Sequence, residues 1–475
     1  MADATAERPW RWFLPGLLGS TALLKLFFAW QFPAFLTGDD LEIVETAAKY
    51  AVGLDYHPWE LRSLFHPLLL AFPFVKAGAL AGLADPRWIT FFAALPTVLF
   101  STISVALVHA LARSWDWPEA TARAAAFLYA FHWLCLGFGS TPYPRPISTC
   151  FLLAAFLAVE RSAGSQSRAA LAGALVAAAF AVRWSEVVVL VPLLAWSWWR
   201  HRSVRSPAAI AAGFAAGVLL FVGLFDALSW GAPFASLRTF WRIMHEEGLA
   251  SVNPDPWYWY GKRVLHWAGP LPLLLLIPAA ADRRLRAPLG IAVAILALMS
   301  LSPFKNVRYT QACMPFLALA AAVGWERLRK KPGWRRALAA AALVVAVPMG
   351  LERTATLLRD KSQSAVTAAQ FLRGLAPPVG TVVLEQMWAY GEKLYLGNAV
   401  AIHDLYPKRP LSPKPVQAAL DGADAAALYD LDVSPEIARL LAARGFRPCA
   451  HFQRDASLAV TVYLPPNRPC PAAGG

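Results

Sequence analysis

The chain has 475 residues, 57% of them hydrophobic and 16% charged, with a formal net charge of +14. The apolar residues gather in long blocks, which excludes a soluble fold of that length. The basic residues sit in short clusters between those blocks, which excludes the continuous basic face that nucleic-acid binding needs.

The first block, Trp12 to Phe32, matches the ~20 residues that cross a hydrocarbon core of ~30 Å. No small-residue cleavage site follows it, so it reads as a retained helix and not a signal peptide. Comparable blocks predict spans near 87–112, 119–138, 147–160, 168–182, 184–199, 207–228, 267–281, 288–302, 310–326 and 337–350. The expected fold is therefore an all-α polytopic membrane domain over 1–350, with about eleven helices. Basic clusters fall in every second loop: Arg8 and Arg11, Arg113 and Arg123, Arg161 and Arg168, Arg200 to Arg205, Arg283 to Arg286, and Arg327 to Arg336. Lys and Arg are retained on the cytoplasmic side of short loops, so this alternation puts the N-terminus inside and the C-terminus outside. Counting 66–84 as a further span would reverse those sides, so it is expected to be re-entrant or to lie on the membrane surface.

Beyond Gly350 the blocks stop, and 351–475 reads as a small soluble α/β domain. Helices are expected over Ser364 to Leu375 and Ser434 to Arg444, and strands over Thr381 to Glu385 and Ser457 to Leu464. The tail from Pro465 is expected to fray. Cys135, Cys150 and Cys313 fall in or beside spans, where a thiol behaves as a small hydrophobe. Cys449 and Cys470 can pair in an oxidising compartment. No metal-binding spacing of cysteines or histidines is present.

Polar residues suited to chemistry collect on the outer side, starting in the loop 33–86. Thr37-Gly-Asp-Asp-Leu-Glu-Ile-Val-Glu45 holds four carboxylates, Asp39, Asp40, Glu42 and Glu45, and Trp59-Glu-Leu-Arg-Ser63 follows it. Glu42 and Glu45 are three apart and share a helix face. The plain alternative is an acidic N-cap followed by a solvated face. Later outer elements are Tyr143-Pro-Arg-Pro146, Arg183, Asp226, Asn253-Pro-Asp-Pro-Trp-Tyr-Trp-Tyr260 and Pro303-Phe-Lys-Asn-Val-Arg-Tyr309. Arginines bind phosphate in bidentate fashion, and aromatic rings offer apolar faces to sugars or settle at the bilayer interface. Together these groups suit a phosphate-bearing lipid and a sugar.

In order and spacing these elements resemble the GT-C superfamily of glycosyltransferases, and within it glycosyltransferase family 22, the polyprenyl-phosphate-mannose mannosyltransferases of N-glycan and GPI-anchor assembly. The opening acidic pair with a downstream Glu, a Trp-Glu and an Arg-Ser looks like Asp39-Asp40, Glu45, Trp59-Glu60 and Arg62-Ser63. The Arg-Pro element of the second outer loop looks like Arg145-Pro146, and Asp-Ser-x-Tyr-Gly looks like the stretch from Asp226 to Gly231. His-Pro-Trp-His-Trp-Tyr resembles Asp255 to Tyr260, and His-Lys-Glu-x-Arg-Phe resembles Phe304 to Tyr309. The sequence departs in having Asp-Asp for Asp-Glu, one residue closer to Glu45, and in having Phe304 and Asn306 for His and Glu.

The resemblance implies a membrane enzyme that moves a sugar, mannose by family, from a polyprenyl-phosphate donor to a hydroxyl of a glycan or glycolipid acceptor, with inversion. Asp39 or Asp40 is then the general base. Glu45, Trp59, Glu60, Arg62, Arg145, Asp226, Trp257, Trp259, Tyr260, Lys305 and Arg308 are then the substrate-binding residues. A metal is not expected, since cations at Lys305, Arg308 and Arg145 can take up the charge of the leaving phosphate, although an acidic pair also suits Mg²⁺. Arabinose or glucose is the alternative sugar. A transporter, expected to show repeated halves and charges at mid-bilayer, and an assembly or anchoring protein are the rival classes. The Ala- and Arg-rich composition points to a bacterial cytoplasmic membrane, with the site and the C-terminal domain periplasmic; a eukaryotic chain would place them in the endoplasmic reticulum lumen.

Overall fold

The computed structural model describes residues 12–33, 35–245, 255–359, 362–405, 411–453 and 458–471. Arg8, Arg11, Asn253 and Ser457 lie outside them. The chain divides into two compact units. One is drawn from residues 1–27, 59–70 and 95–354, the other from 28–58, 71–94 and 355–475.

Among the described residues, helices long and apolar enough to cross a membrane on their own include Phe13–Gln31, Pro86–Ser114 and Arg205–Trp230. The 26-residue helix Trp334–Arg359 is the fourth. The expected count of about eleven is not reached by length alone, because several blocks are broken. Residues 119–138 form two helices, Glu119–Ala130 and Trp133–Phe138. Residues 184–199 open in a 3₁₀ stretch, Trp184–Val189, before Leu190–His201. Pro270–Ala279 has 10 residues, about 15 Å of rise at ~1.5 Å per residue, half of a ~30 Å core. Residues 66–84 are likewise short of a span: a π-helical turn, Phe65–Ala71, leads into Phe72–Leu80.

Within the first unit, small residues let helices approach closely. A Cβ at Gly173 would lie 1.9 Å from the Ile210 carbonyl oxygen, and one at Gly213 would lie 1.9 Å from that of Ala170. Gly213 and Gly217 form a small-xxx-small pair on the Arg205–Val218 helix, which packs on Gln166–Val182 in the manner of bilayer helices that lack a hydrophobic drive to associate. Gly324 meets the Leu275 carbonyl in the same way.

The basic loops meet at one end of these helices. Glu119 holds His109, Arg113 and Arg123. Glu160 accepts from Arg200 at 3.2 Å. Glu326, at the end of Met314–Arg329, accepts from Arg284 at 2.6 Å and from Lys330.

The second unit is built on a five-stranded sheet of order β2-β1-β3-β5-β4. Its strands are β1 Thr381–Leu384, β2 Ala401–Asp404, β3 Ala425–Tyr429, β4 Arg447–Phe452 and β5 Val460–Leu464. The β1 strand is parallel to β2 and β3, and β5 is antiparallel to β3 and β4. Alternation of side chains splits the core. Val382 and Leu384 of β1 face one layer, and Val383 faces the other, where the helices Pro413–Leu420 and Pro435–Ala443 pack.

The expected elements here are present, with strands β2, β3 and β4 in addition. Cys449 and Cys470 are disulfide-bonded, with Cα atoms 5.5 Å apart. The tail is not frayed as far as residue 471. That bridge ties it down, and Arg468 donates to the carbonyls of Pro377 and Pro378 at 2.7 and 2.9 Å.

The first layer also contains Leu41, Val44, Ala47, Ala48 and Ala51 of the helix Gly38–Val52. The acidic segment therefore shares its core with the C-terminal sheet.

Candidate functional site

Gly38–Val52 starts where the Thr37 hydroxyl accepts from the Asp39 amide at 3.2 Å, so the cap is Thr37 and not an aspartate. Its carboxylates are not a solvated face: Asp39, Asp40, Glu42 and Glu45 are all buried, at 7%, 0%, 3% and 0% exposure. Both oxygens of Asp40 hold the turn, Oδ2 accepting from the Leu36 amide at 2.9 Å and Oδ1 from the Thr37 hydroxyl at 3.0 Å. The Tyr56 hydroxyl donates to Glu42, and burial together with Glu42 keeps that phenol well above its usual range.

Glu45 Oε1 accepts from the Leu394 amide at 2.7 Å. Burial, then the neighbouring Glu392, holds the Glu45 carboxyl well above the usual carboxylate range. Glu392 itself is pushed up to about 7, by burial first and by Asp404 second. Glu45 and Glu392 each keep one buried oxygen without a hydrogen-bond partner. Two adjacent buried carboxyls resist ionising together, since like charges disfavour each other.

In the first unit the other expected elements converge. Arg145, the first residue of Arg145–Glu160, is 1% exposed, and its guanidinium donates to Glu186 at 2.7 Å and to the Ser185 hydroxyl at 2.8 Å. It also lies 4.3 Å from the centre of the Tyr309 ring. Arg308 lies 5.7 Å from the same ring and 5.9 Å from that of Tyr143. Such cation–π contacts each contribute on the order of 1 kcal/mol, more where water is excluded.

Lys305 is buried, and its ammonium donates to the carbonyls of Asp255 and Ser302 at 2.8 and 2.6 Å. The Asp255 amide donates to Pro303, so the Asp-Pro-Trp-Tyr-Trp-Tyr and Phe-Lys-Asn-Val-Arg-Tyr elements are bound to each other. Asn306 caps Val307–Cys313 by accepting from the Arg308 amide at 3.1 Å. Of the aromatic cluster, Trp259 and Tyr260 are buried and Trp257 is 75% exposed. Burial is the main force holding the Tyr260 phenol above its usual range; Tyr309 adds to it, and the Arg145 charge opposes it.

Two indole N–H groups pin the loop at 59–63. Trp184 donates to the Leu61 carbonyl and Trp230 to the Arg62 carbonyl, each at 3.2 Å. Trp59 and Arg62 are half-buried there and Glu60 is exposed. Asp226 is buried, and its Oδ2 accepts from the amide and hydroxyl of Ser236 at 2.9 and 2.6 Å, which ties it to the start of Ala235–His245.

The structure thus gathers Arg62, Arg145, Tyr260, Lys305 and Arg308 in one unit, while Asp39, Asp40 and Glu45 belong to the other. Sequence reading missed Glu186 and Glu392. A lone carboxylate inside an apolar run was the available signal for Glu186; nothing local marked Glu392. Among the described residues no group of three His, Cys, Asp or Glu side chains is placed to hold a metal.

The sequence model of the Alg9-like mannosyltransferase family matches residues 41–373. No curated protein matches the chain significantly in sequence. Among solved structures, ArnT from Cupriavidus metallidurans bound to undecaprenyl phosphate aligns with a TM-score of 0.63 at 14% identity, over 95% of this chain and 98% of that one. The Archaeoglobus fulgidus oligosaccharyltransferase tethered to an acceptor peptide gives 0.54 at 12% identity, over 95% and 74%. The mycobacterial arabinofuranosyltransferase AftD gives 0.56 at 15%, over 96% and 40%. At these identities the likeness is one of fold.

Proposed function

The chain belongs to the Alg9-like mannosyltransferase family, and on that premise we propose that it transfers mannose from a polyprenyl-phosphate donor to a hydroxyl of a glycan or glycolipid acceptor. The general base is Asp39. The observation that carries this choice is that Asp40 commits both carboxylate oxygens to Leu36 and Thr37, which makes it the residue that holds the loop. A hydroxyl is a poor nucleophile until its proton is taken, and a positioned carboxylate contributes ~100-fold to ~10,000-fold. One displacement at the anomeric carbon inverts its configuration.

Arg308 and Lys305 take up charge on the departing phosphate. Arg145 acts from within its pair with Glu186. Trp257, Trp259 and Tyr260 offer faces to the sugar or lipid, and Glu45, Trp59, Glu60, Arg62 and Asp226 shape the loops that carry these groups. The polyprenyl-phosphate donor is supported by the undecaprenyl phosphate bound to ArnT, which shares the fold. The eleven-span threading, with basic loops in the cytoplasm and the chemistry on the outer face, is supported by the alternation of charged loops, and the Ala- and Arg-rich composition supports a bacterial membrane with that face in the periplasm. No metal takes part.

The test is transfer of radiolabelled mannose from polyprenyl-phosphate mannose to membrane glycolipid, with Asp39→Asn and Asp40→Asn at equal expression. Asp39→Asn is expected to lose at least ~100-fold, Asp40→Asn to keep reduced activity with a lower unfolding temperature, and EDTA to change nothing. The reverse order of the two variants would move the base to Asp40. Full activity in both would remove the acidic loop from the mechanism. A wild type that transfers arabinose or glucose, but not mannose, would correct the donor.

A further inference from the structure

The helices that carry Arg145, Glu186 and Arg308 at one end carry basic loops at the other. Arg145–Glu160 runs from Arg145 to the carboxylate that holds Arg200, and Met314–Arg329 runs from beside Arg308 to Glu326 and Arg284. At this second end lies a cavity of 850 Å³, walled by the loop at 114–117, the helix Leu190–His201 and the start of Arg286–Ser300. It is within the size range of small-molecule sites. The three walls come from three loops that charge alone puts on one side of the membrane.

Its chemistry is graded with depth. Arg200, Arg283, Arg284 and Arg286 stand at the mouth, and Asp116 is the one carboxylate in the lining. Arg200 is paired with Glu160, and Arg284 with Asp282 and Glu326. Arg283 and Arg286 are exposed and have no ion-pair partner among the described residues. Trp117, Trp115, Trp196 and Trp199, in that order, form a continuous aromatic wall, with successive ring centres 5.3, 5.8 and 4.9 Å apart.

Below them the lining is apolar, with Pro192 and Ala195 on one helix and Ile291 and Ala294 on the other. Arg286 to Ala294 is eight residues, so the slot descends about 12 Å along its helix. Basic side chains at a mouth, indoles at the interface and an apolar slot beneath match a phosphate head group followed by the first part of an acyl chain.

We infer that this cavity binds an anionic membrane lipid, with its phosphate between Arg283 and Arg286 and its chain in the slot between the Leu190–His201 and Arg286–Ser300 helices. The site lies at the opposite end of these helices from Arg145 and Arg308, and nothing in it depends on the identity of the transferred sugar.

The test is lipid binding by the purified full-length protein in detergent, read by native mass spectrometry. The probes are phosphatidylglycerol, phosphatidylcholine with the same acyl chains, and soluble glycerol phosphate. Phosphatidylglycerol is expected to bind at least ~10-fold tighter than phosphatidylcholine. The R283A/R286A double variant is expected to lose about 30-fold, from two basic contacts to an anionic head group. R283K/R286K should keep most of the affinity, and Trp199→Ala should weaken both lipids. Equal binding of the two lipids, or wild-type affinity in R283A/R286A, would overturn the inference. So would displacement of phosphatidylglycerol by an equal concentration of glycerol phosphate, which would make this a phosphate site without a lipid. Since the readout is binding, a failure of mannose transfer leaves this inference standing, and the reverse holds too.

Discussion

A guanidinium as deeply buried as that of Arg145 is stable only because a carboxylate meets it, and Glu186 is that carboxylate, 1% exposed. Removing one partner of a buried ion pair leaves an uncompensated charge at a cost of about 3–5 kcal/mol, whereas replacing both by apolar residues is often nearly neutral. Glu186→Ala is therefore expected to lower the unfolding temperature of the detergent-solubilised protein sharply. Glu186→Gln should do so less, and Glu186→Leu combined with Arg145→Met least. A single variant as stable as wild type would show that water reaches the pair. Arg145 was legible because its Arg-Pro element stands out between spans. Glu186 was not singled out, because it sits in a run of valines and leucines that reads as plain bilayer sequence. Asp226 shows the opposite limit: its motif was legible, but its hydrogen bonds to Ser236 depend on a turn ten residues further on.

Between the acidic helix and the short helix Glu392–Leu396, Glu45 and Glu392 form a proton-sensitive seam. The other titratable groups around it are Glu42, Tyr56, Asp404 and Lys393. Both carboxyls are held above their unfolded value, so the folded state binds more protons than the unfolded chain. The Glu392 contribution is fully present below pH about 4.5 and is lost as pH rises through about 7, and Glu45 acts in the same direction. The expected result is a loss of unfolding free energy between pH 5 and pH 8 on the order of 2 kcal/mol, read as a fall in the unfolding temperature, that Glu392→Gln flattens. A wild-type profile that stays level or rises would refute it. The helix itself was legible, since Leu41, Val44, Ala48 and Ala51 recur at helical spacing. Strand β3 was not, because Ala425, Ala426 and Ala427 carry no strand preference and owe their conformation to the neighbours on both sides.

For the molecule as a whole, the grouping of basic loops could be read from sequence, because charge is retained by side and neighbouring loops must then meet. The number of spans could not. Hydropathy sees an apolar block but not the break at 131–132 or the 3₁₀ opening at Trp184, which depend on contacts across the unit. Nor could it be read that residues 28–58 and 71–94 fold with the C-terminal segment, because the contacts that join them are far apart in the chain. It follows that a chain ending before residue 362 leaves Leu41, Val44 and Ala48 without the sheet and helix they pack on. Such a chain is expected to insert in the membrane, to lose mannose transfer below detection, and to be cut by protease within 38–58. Activity comparable to full length would contradict the shared core.

That shared core also fixes an order of events in biogenesis. Glu45 and the Leu394 amide it meets are 349 residues apart. At about 5–20 residues per second the ribosome needs roughly 20–70 s to make the second after the first. Through that interval the segment with the proposed base has left the ribosome and can pack only on the nearby helix Phe72–Leu80, without the C-terminal part of its core, so the nascent chain is expected to be inert while its helices are still being inserted. An enzyme assembled this way is expected to become competent only after the helix and sheet beyond residue 362 have been made.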